Sequence, residues 1–398
     1  MKVAIIGGKL QGLEAAYLAG KADWDVTIID RVPDIPAAGL CQEFLLADIT
    51  TQTNLKRFLQ PFDMVIPALE DHDALKCLQN YAQIDRTGIL FDFDAYAITA
   101  SKIDSDKLLS GIHIPTPSAY LDNGFPVIVK PSKGSGSRGI CVIHNSKQLA
   151  SHLAAEPGEQ VIQKFVYGPS YSLEIIGHPG NYCPLQVTEL EMDPVFDCKR
   201  VIAPSGLSQK MIAAFEHIAV TTADTLKLKG LMDVEVILDD DVLRVLEIDA
   251  RFPSQTPITV LTSTGVNMLR LLAERHNRPL HETTGIPVVQ RGVVFEHIRV
   301  SGSTLAVTGE HAMASAGPLH LEKDFFGADE AITCQWENQT DWVASLIISA
   351  EDRTAAWEKR GAVIAEIMRF FNLDTYRDRA PIPHDVGRQS LSFKGSFK

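Results

Sequence analysis

The apolar run KVAIIG (2–7) is followed by LQGLEAAYLAG (10–20), whose apolar positions recur at helical spacing, and then by a second run, DVTIID (25–30). Strand, turn, helix and strand in that order predict half of a doubly wound parallel sheet. Runs at 43–46, 64–67 and 89–91, with helical stretches such as 73–81 between them, carry the alternation to about residue 95. IPTP at 114–117 breaks the pattern, and GFPVIVKPSKGSGSRGICVI (124–143) reads as strand, flexible Gly/Ser loop, strand. A second, smaller domain is expected there, completed by VIQKFV and YSLEIIG within 161–177 or joined by them to the next domain. Residues 181–340 predict mainly strands, with helices around 208–226 and 265–275, and Thr354 to Phe371 predicts an amphipathic helix. The expected divisions are 1–95, 96–178 and 179–375, with a poorly ordered tail over 376–398.

The densest chemistry lies in LMDVEVILDDDVLRVLEIDARFPSQTP (231–257). Two β-branched, apolar runs flank Asp239, Asp240 and Asp241, which reads as a hairpin. Side chains two apart on a strand share a face, so Glu247, Asp249 and Arg251 line up, as do Asp233 and Glu235. Converging carboxylates repel unless a cation sits among them, and hard oxygen ligands suit Mg²⁺, which commonly bridges carboxylates to phosphates. An acidic hairpin with a solvated face is the plain alternative.

Composition narrows the field. The 398 residues are 45% hydrophobic and 22% charged, a globular balance long enough for two or three domains. A net charge of −13 argues against broad gripping of nucleic acid or an anionic membrane, so cations that bind phosphate must be local. No apolar run approaches the roughly 20 residues needed to span a bilayer, and the N-terminus reads as strand and turn, so a cytoplasmic enzyme is expected. The six cysteines lack CxxC spacing; neither a zinc site nor a disulfide framework is expected, and most should be buried thiols.

Local phosphate chemistry has two candidates. GGKLQG (7–12) lies where a strand turns into a helix, and Asp30 ends the next strand, an arrangement like a dinucleotide fingerprint except that Lys9 interrupts GxGxxG. An NAD-dependent oxidoreductase would account for this region alone. Lys130 precedes PSKGSGSRG, where Gly134, Gly136 and Gly139 allow close backbone approach and Ser132, Ser135 and Ser137 offer hydroxyls, although the pattern is not a Walker loop. His72, among Glu70, Asp71 and Asp73, reads as a charged turn capping a helix.

Lys102, Lys130 with its Gly/Ser loop, and the hairpin ending in EIDAR resemble, in that order, the parts of the ATP-grasp superfamily. Within it the chain is similar to the pyrrolysine-biosynthesis ligases that join 3-methyl-D-ornithine to L-lysine, through GGKLQGLEAAYL, ADIT (47–50), FDFDAY (91–96), IPTP, YSLEIIG, FDCKRVIAP (196–204) and LRVLEIDARFPSQTP. The resemblance implies an ATP-grasp fold of α/β and α+β character with an N-terminal Rossmann-like preATP-grasp domain, a lid, and a catalytic subdomain. It implies ATP and Mg²⁺, small-molecule substrates and an acyl-phosphate route to an amide; no nucleic acid or membrane partner is expected, and a homodimer is left open. Lys102 and Lys130 correspond to family lysines on the ATP phosphates, with Ser132 and Ser135 in the loop. Glu235, Glu247 and Asp249 correspond to the metal ligands, and Arg251 to the arginine that steadies the acyl phosphate. Lys9, Asp30, Asp48 and Ile49 fall near the nucleotide, and Leu10, Gln11 and Glu70 near lysine. Ser172, Glu174, Asp233, Ser254, Gln255 and Thr256 fall around the diamino acid. A D-alanine–D-alanine-like ligase would share the hairpin.

Overall fold

The computed structural model describes residues 1–84, 88–120, 124–134, 136–277, 290–336 and 339–381. Strand Lys2–Ile6 is almost entirely buried, as a run without polar alternation requires, and it centres a five-stranded parallel sheet. Asp25–Asp30 and Glu43–Leu46 lie on one side of it, Met64–Pro67 and Gly88–Ile89 on the other. The order therefore switches at Lys2–Ile6, and the crevice beyond the carboxyl ends of these strands is where such sheets bind ligands. Gly7, at φ +100°, makes the turn there, and a Cβ on it would lie 2.6 Å from Ala68 O. Helix His72–Ile84 starts on Asp71, whose Oδ1 accepts from Ala74 N at 3.0 Å.

The lid is a three-stranded antiparallel sheet, with Val127–Pro131 between Cys141–Ile143 and Gln160–Lys164. Its core is small: Val127, Val129, Ile143 and Leu149. The expected boundary at 178 is corrected by Ser170–His178, which pairs with Thr188–Met192 and Gly230–Asp239 in the large sheet. Seven consecutive buried residues in that strand demand neighbours on both sides and cover on both faces, which the small lid lacks.

The large sheet has twelve strands among the described residues, running from the hairpin Val242–Asp249 and Gly230–Asp239 through Ser170–His178 to Gly292–Ser301 and Asp341–Ala350. Helix Gln209–Leu226 buries Phe215, Ile218, Ala219 and Ala223 against its hairpin end, and helix Arg353–Phe370 buries Ala356, Val363, Ile364 and Ile367 against the other. The first sheet is bonded to this body. Glu14 Oε2 accepts from Ile258 N at 2.8 Å, Asn267 Nδ2 donates to Leu18 O at 2.7 Å, and Leu319 N donates to Pro36 O at 2.9 Å. A Cβ on Gly39 would overlap Leu319 O, and one on Gly317 would overlap Asp34 O, so both glycines are needed for backbone to touch backbone.

The tail expected from 376 is also corrected. Thr375–Arg377 pairs in parallel with Thr304–Val307, and Asp378 lies 2.6 Å from both Lys199 and Arg200. Buried Arg200 and Arg360 share Glu296 and stack on Trp357, so the segment brings a carboxylate to a cationic site. Burial opposes ionisation of Asp378, but the charge of Arg200 and hydrogen bonds from Lys199 and Arg200 prevail and hold it down at about 2. Residues 382–398 lie outside the described residues. Of the cysteines expected to be mostly buried, Cys198 is, and the other five are half-buried; all are free thiols. Among the described residues no helix is long and apolar enough to cross a membrane.

His297 provides a pH test of this core. Its Nδ1 lies 2.8 Å from Ser345 Oγ, and burial pushes it down to about 4. The folded state thus keeps it neutral while the unfolded chain takes a proton below about pH 6.5, so stability falls between about pH 6.5 and 4. In urea unfolding, wild type is expected to lose about 3 kcal/mol more than His297→Gln over that range. Parallel pH profiles for the two proteins would contradict this.

Candidate active site

The hairpin turns through Asp240 and Asp241, both with positive φ (46° and 63°), the geometry that matches the twist of paired strands. The register sets Asp233 opposite Asp249 and Glu235 opposite Glu247, so four carboxylates share one face. On the other side of Gly230–Asp239, Ser172 lies opposite Glu235 and Glu174 opposite Asp233. This face forms one wall of a cavity of about 800 Å³.

Cations interleave with the acids. Arg251 Nε lies 2.7 Å from Asp249 Oδ2 and 3.0 Å from Glu70 Oε1. Lys102 Nζ donates to Glu247 Oε1 and to Gly134 O, each at 2.7 Å. Lys130 is buried, and desolvation lowers its pKa against the pull of Glu247. Lys102 and Lys130 line a small cavity on the lid side of Glu247, not the main one. Burial, reinforced by Glu247, pushes Glu235 up to about 7; burial, opposed by Arg251, takes Asp249 to about 7; burial and Asp249 carry Asp233 well above the carboxylate range. Asp233 Oδ1 and Asp249 Oδ1 are buried without a partner. Among the described residues no three His, Cys, Asp or Glu side chains are arranged to hold a metal ion, and Glu247 and Asp249 are paired instead with Lys102 and Arg251. The donor set of Glu235, Glu247 and Asp249, hard oxygens with Asp249 Oδ1 bare, fits a small divalent cation.

The first sheet supplies the facing wall through Lys9, Leu10, Gln11, Asp30, Asp48, Ile49 and Glu70. Asp30 Oδ2 accepts from Gly8 N at 2.9 Å and so fixes the glycine turn. Asp48 Oδ1 accepts from Thr50 Oγ1 at 2.6 Å and Thr50 N at 2.9 Å, bonds that lower its pKa. Gln11 Nε2 donates to Glu70 Oε1 at 3.0 Å. Ser172, Ser254, Gln255 and Thr256 also line the cavity.

Besides Lys102 and Lys130, two expected residues do not. Ser132 turns inward, its Oγ 3.4 Å from Ser101 Oγ, while its backbone O accepts from Lys102 N. Glu174 lies behind the wall, accepting on Oε1 from Ser172 Oγ at 3.0 Å and from Thr256 Oγ1, and burial raises it to about 7. Ser135 is outside the described residues.

The structure adds lining residues that sequence spacing did not single out, among them Arg138, Phe196, Asp197, Glu310 and His311. Burial pushes Glu310 up to about 8, and its Oε1 accepts from Ser254 Oγ at 3.4 Å. His311 Nδ1 pairs with Asp197 Oδ2 at 2.7 Å. The Gly/Ser loop closes onto this corner, with Ser137 Oγ donating to Phe196 O at 2.5 Å. The segment FDCKRVIAP contains Phe196 and Asp197, but nothing in its spacing marks a site.

A parallel first sheet, a small antiparallel lid and a carboxylate-bearing sheet that meet at one cavity define the ATP-grasp class, and residues 99–255 match the family model described as an ATP-grasp domain. The fold is shared with an N5-carboxyaminoimidazole ribonucleotide synthetase in its ADP complex (TM-score 0.69, 15% identity, 91% of this chain and 96% of that one). It is shared too with an L-amino acid ligase from Bacillus licheniformis (TM-score 0.68, 18% identity, 92% and 97%). The 3-methyl-D-ornithine–L-lysine ligase of Methanosarcina acetivorans is 33% identical over 361 residues, 90% of this chain and 95% of the relative. That of Methanosarcina mazei is 33% identical over 89% and 92%. The chain belongs to the family of the 3-methyl-D-ornithine–L-lysine ligases.

Arg251 is expected to carry structural weight. Removing one partner of a buried charge cluster typically costs about 3–5 kcal/mol, and Arg251→Met would strand Asp249 and Glu70. Urea unfolding at neutral pH should show a loss of that order, and an unchanged midpoint would count against it.

Proposed function

We propose that this protein is an ATP-dependent carboxylate–amine ligase that forms 3-methyl-D-ornithyl-N6-L-lysine in pyrrolysine biosynthesis. The reading is carried by the hairpin register that groups Asp233, Glu235, Glu247 and Asp249 with Arg251 in one cavity, in a chain 33% identical to ligases of that name. In the proposed division of labour, the first sheet and the hairpin each present one amino acid, and the lid with its Gly/Ser loop covers the nucleotide.

ATP supplies the phosphoryl group that converts the ornithine carboxylate to an acyl phosphate, and the N6 amine of lysine then displaces phosphate. Lys102 and Lys130 neutralise the phosphates. For Lys102 this means leaving Glu247, its present partner. Glu235, Glu247 and Asp249 would hold Mg²⁺, which would supply charge neutralisation across the phosphates. Arg251 offers a guanidinium to the negative charge that develops on the acyl oxygen. Asp233, with Oδ1 bare, accepts from an ammonium of the ornithine substrate. The closed loop keeps water from the acyl phosphate.

ADP release with 3-methyl-D-ornithine and L-lysine is the direct test; absence of release with this pair, in protein that binds ATP, would refute the proposal. Glu247→Gln is expected to lower turnover by roughly 10²-fold or more without unfolding the chain. Asp233→Asn should weaken use of the ornithine substrate while ATP binding persists. Loss of ATP binding with intact ornithine affinity would move Asp233 into the metal site.

A further inference from the structure

Ligation needs an uncharged amine, yet a lysine side chain is an ammonium at neutral pH, with a reference pKa near 10.4. Some group on the cavity wall has to take that proton. Of the nearby carboxylates, Glu70 is held by Arg251 and by Gln11, each at 3.0 Å, Glu174 is behind the wall with Ser172 and Thr256 donating to it, and Glu310, with Oε1 accepting from Ser254 and Oε2 without a partner, is the rival outside the metal set. Glu235, Glu247 and Asp249 are the proposed metal set.

The Asp197–His311 pair is neither engaged nor withdrawn. Asp197 is buried, accepts from His311 N at 3.0 Å, and lies 2.7 Å from Nδ1. A buried carboxylate at Nδ1 puts the ring hydrogen on that nitrogen and leaves the lone pair on Nε2. Nε2 has no hydrogen-bond partner among the described residues and points toward the Gly/Ser loop, where a Cβ on Gly136 would come within 2.9 Å of it. The geometry is braced. Asp193 accepts from Val195 N and Asp197 N through Oδ1, and from Gly309 N through Oδ2, so the turn that carries Asp197 is tied to the loop that carries His311. The other charged groups around this corner are Asp193 and Glu310, with Arg138 on the loop and Arg251 across the cavity.

We infer that His311, oriented by Asp197, is the base that takes the proton of the acceptor ammonium. The inference rests on the ligase reading. The Nε2 lone pair bonds the proton as an N–H bond of the ammonium breaks. The freed lone pair of the amine forms the C–N bond at the acyl carbon, and the C–O bond to phosphate breaks, its electron pair leaving with the phosphate. The second proton shed by the new amide nitrogen goes to the departing phosphate.

Two acceptors separate this role from a structural one, because hydroxylamine is already uncharged at neutral pH and traps an acyl phosphate as a hydroxamate without a base. His311→Gln is expected to slow lysine ligation by about 10²-fold or more while hydroxamate formation stays within about threefold of wild type. Raising the pH should recover part of the lysine rate in the variant. Asp197→Asn should show the same selectivity for lysine over hydroxylamine. Equal losses with both acceptors would make the pair a support for the loop and overturn the inference, as would a selective loss in Glu310→Gln with His311→Gln unimpaired. If wild type forms no hydroxamate from the ornithine substrate but ligates another acid, the ligase substrate fails while the base is tested on that acid.

Discussion

Four carboxylates packed side by side on a buried hairpin are the constraint around which this molecule is organised. Two like charges about 4 Å apart repel by about 4 kcal/mol at an effective dielectric near 20, so such a cluster ionises only with cations among it. Those cations come from separate parts of the chain: Lys102 from the helix ahead of the lid, Lys130 from the lid's central strand, Arg251 from just past the hairpin. The electrostatics of the hairpin are therefore complete only when the three parts are assembled. The same cations that make the cluster tenable are of the kind suited to phosphate, so an anion entering the cavity would compete with the carboxylates for them.

What was legible in the sequence was what local spacing encodes. The period of two along Asp233 and Glu235 and along Glu247 and Asp249, with an aspartate-rich turn between, leaves one register that unites them, and the structure has it. The first sheet was legible for the same reason, strand and helix alternating within short stretches. Glu310, His311 and Asp197 were not, because they reach the cavity through contacts between residues more than a hundred positions apart, such as His311 with Asp197. Ser132 misled because a serine beside a glycine loop looks like a phosphate donor, whereas here it is a buried hydroxyl facing Ser101. The order of Asp378 was invisible too, since an aperiodic tail gives no hint that Lys199 and Arg200, buried elsewhere, take a further carboxylate.

Glu174 and Glu14 show how the fold tolerates buried acids outside the four on the hairpin. Glu14 accepts from the amide of Ile258, at the start of a helix, and Glu174 from two hydroxyls. Both are strongly desolvated, and burial raises both. They join strands and helices that carry lining residues, so the cavity wall is held by polar bonds as well as apolar packing.

The seam between the first sheet and the large body, where Gly39 and Gly317 let main chain touch main chain, works as a ruler. Two of the three walls of the cavity belong to one welded piece, so the span from the glycine turn at Gly7 to the carboxylate hairpin is set by the fold and not by what occupies it. A side chain larger than hydrogen at either glycine would push main chain from main chain and lengthen that span, and so spoil the fit of any small molecule that touches both walls.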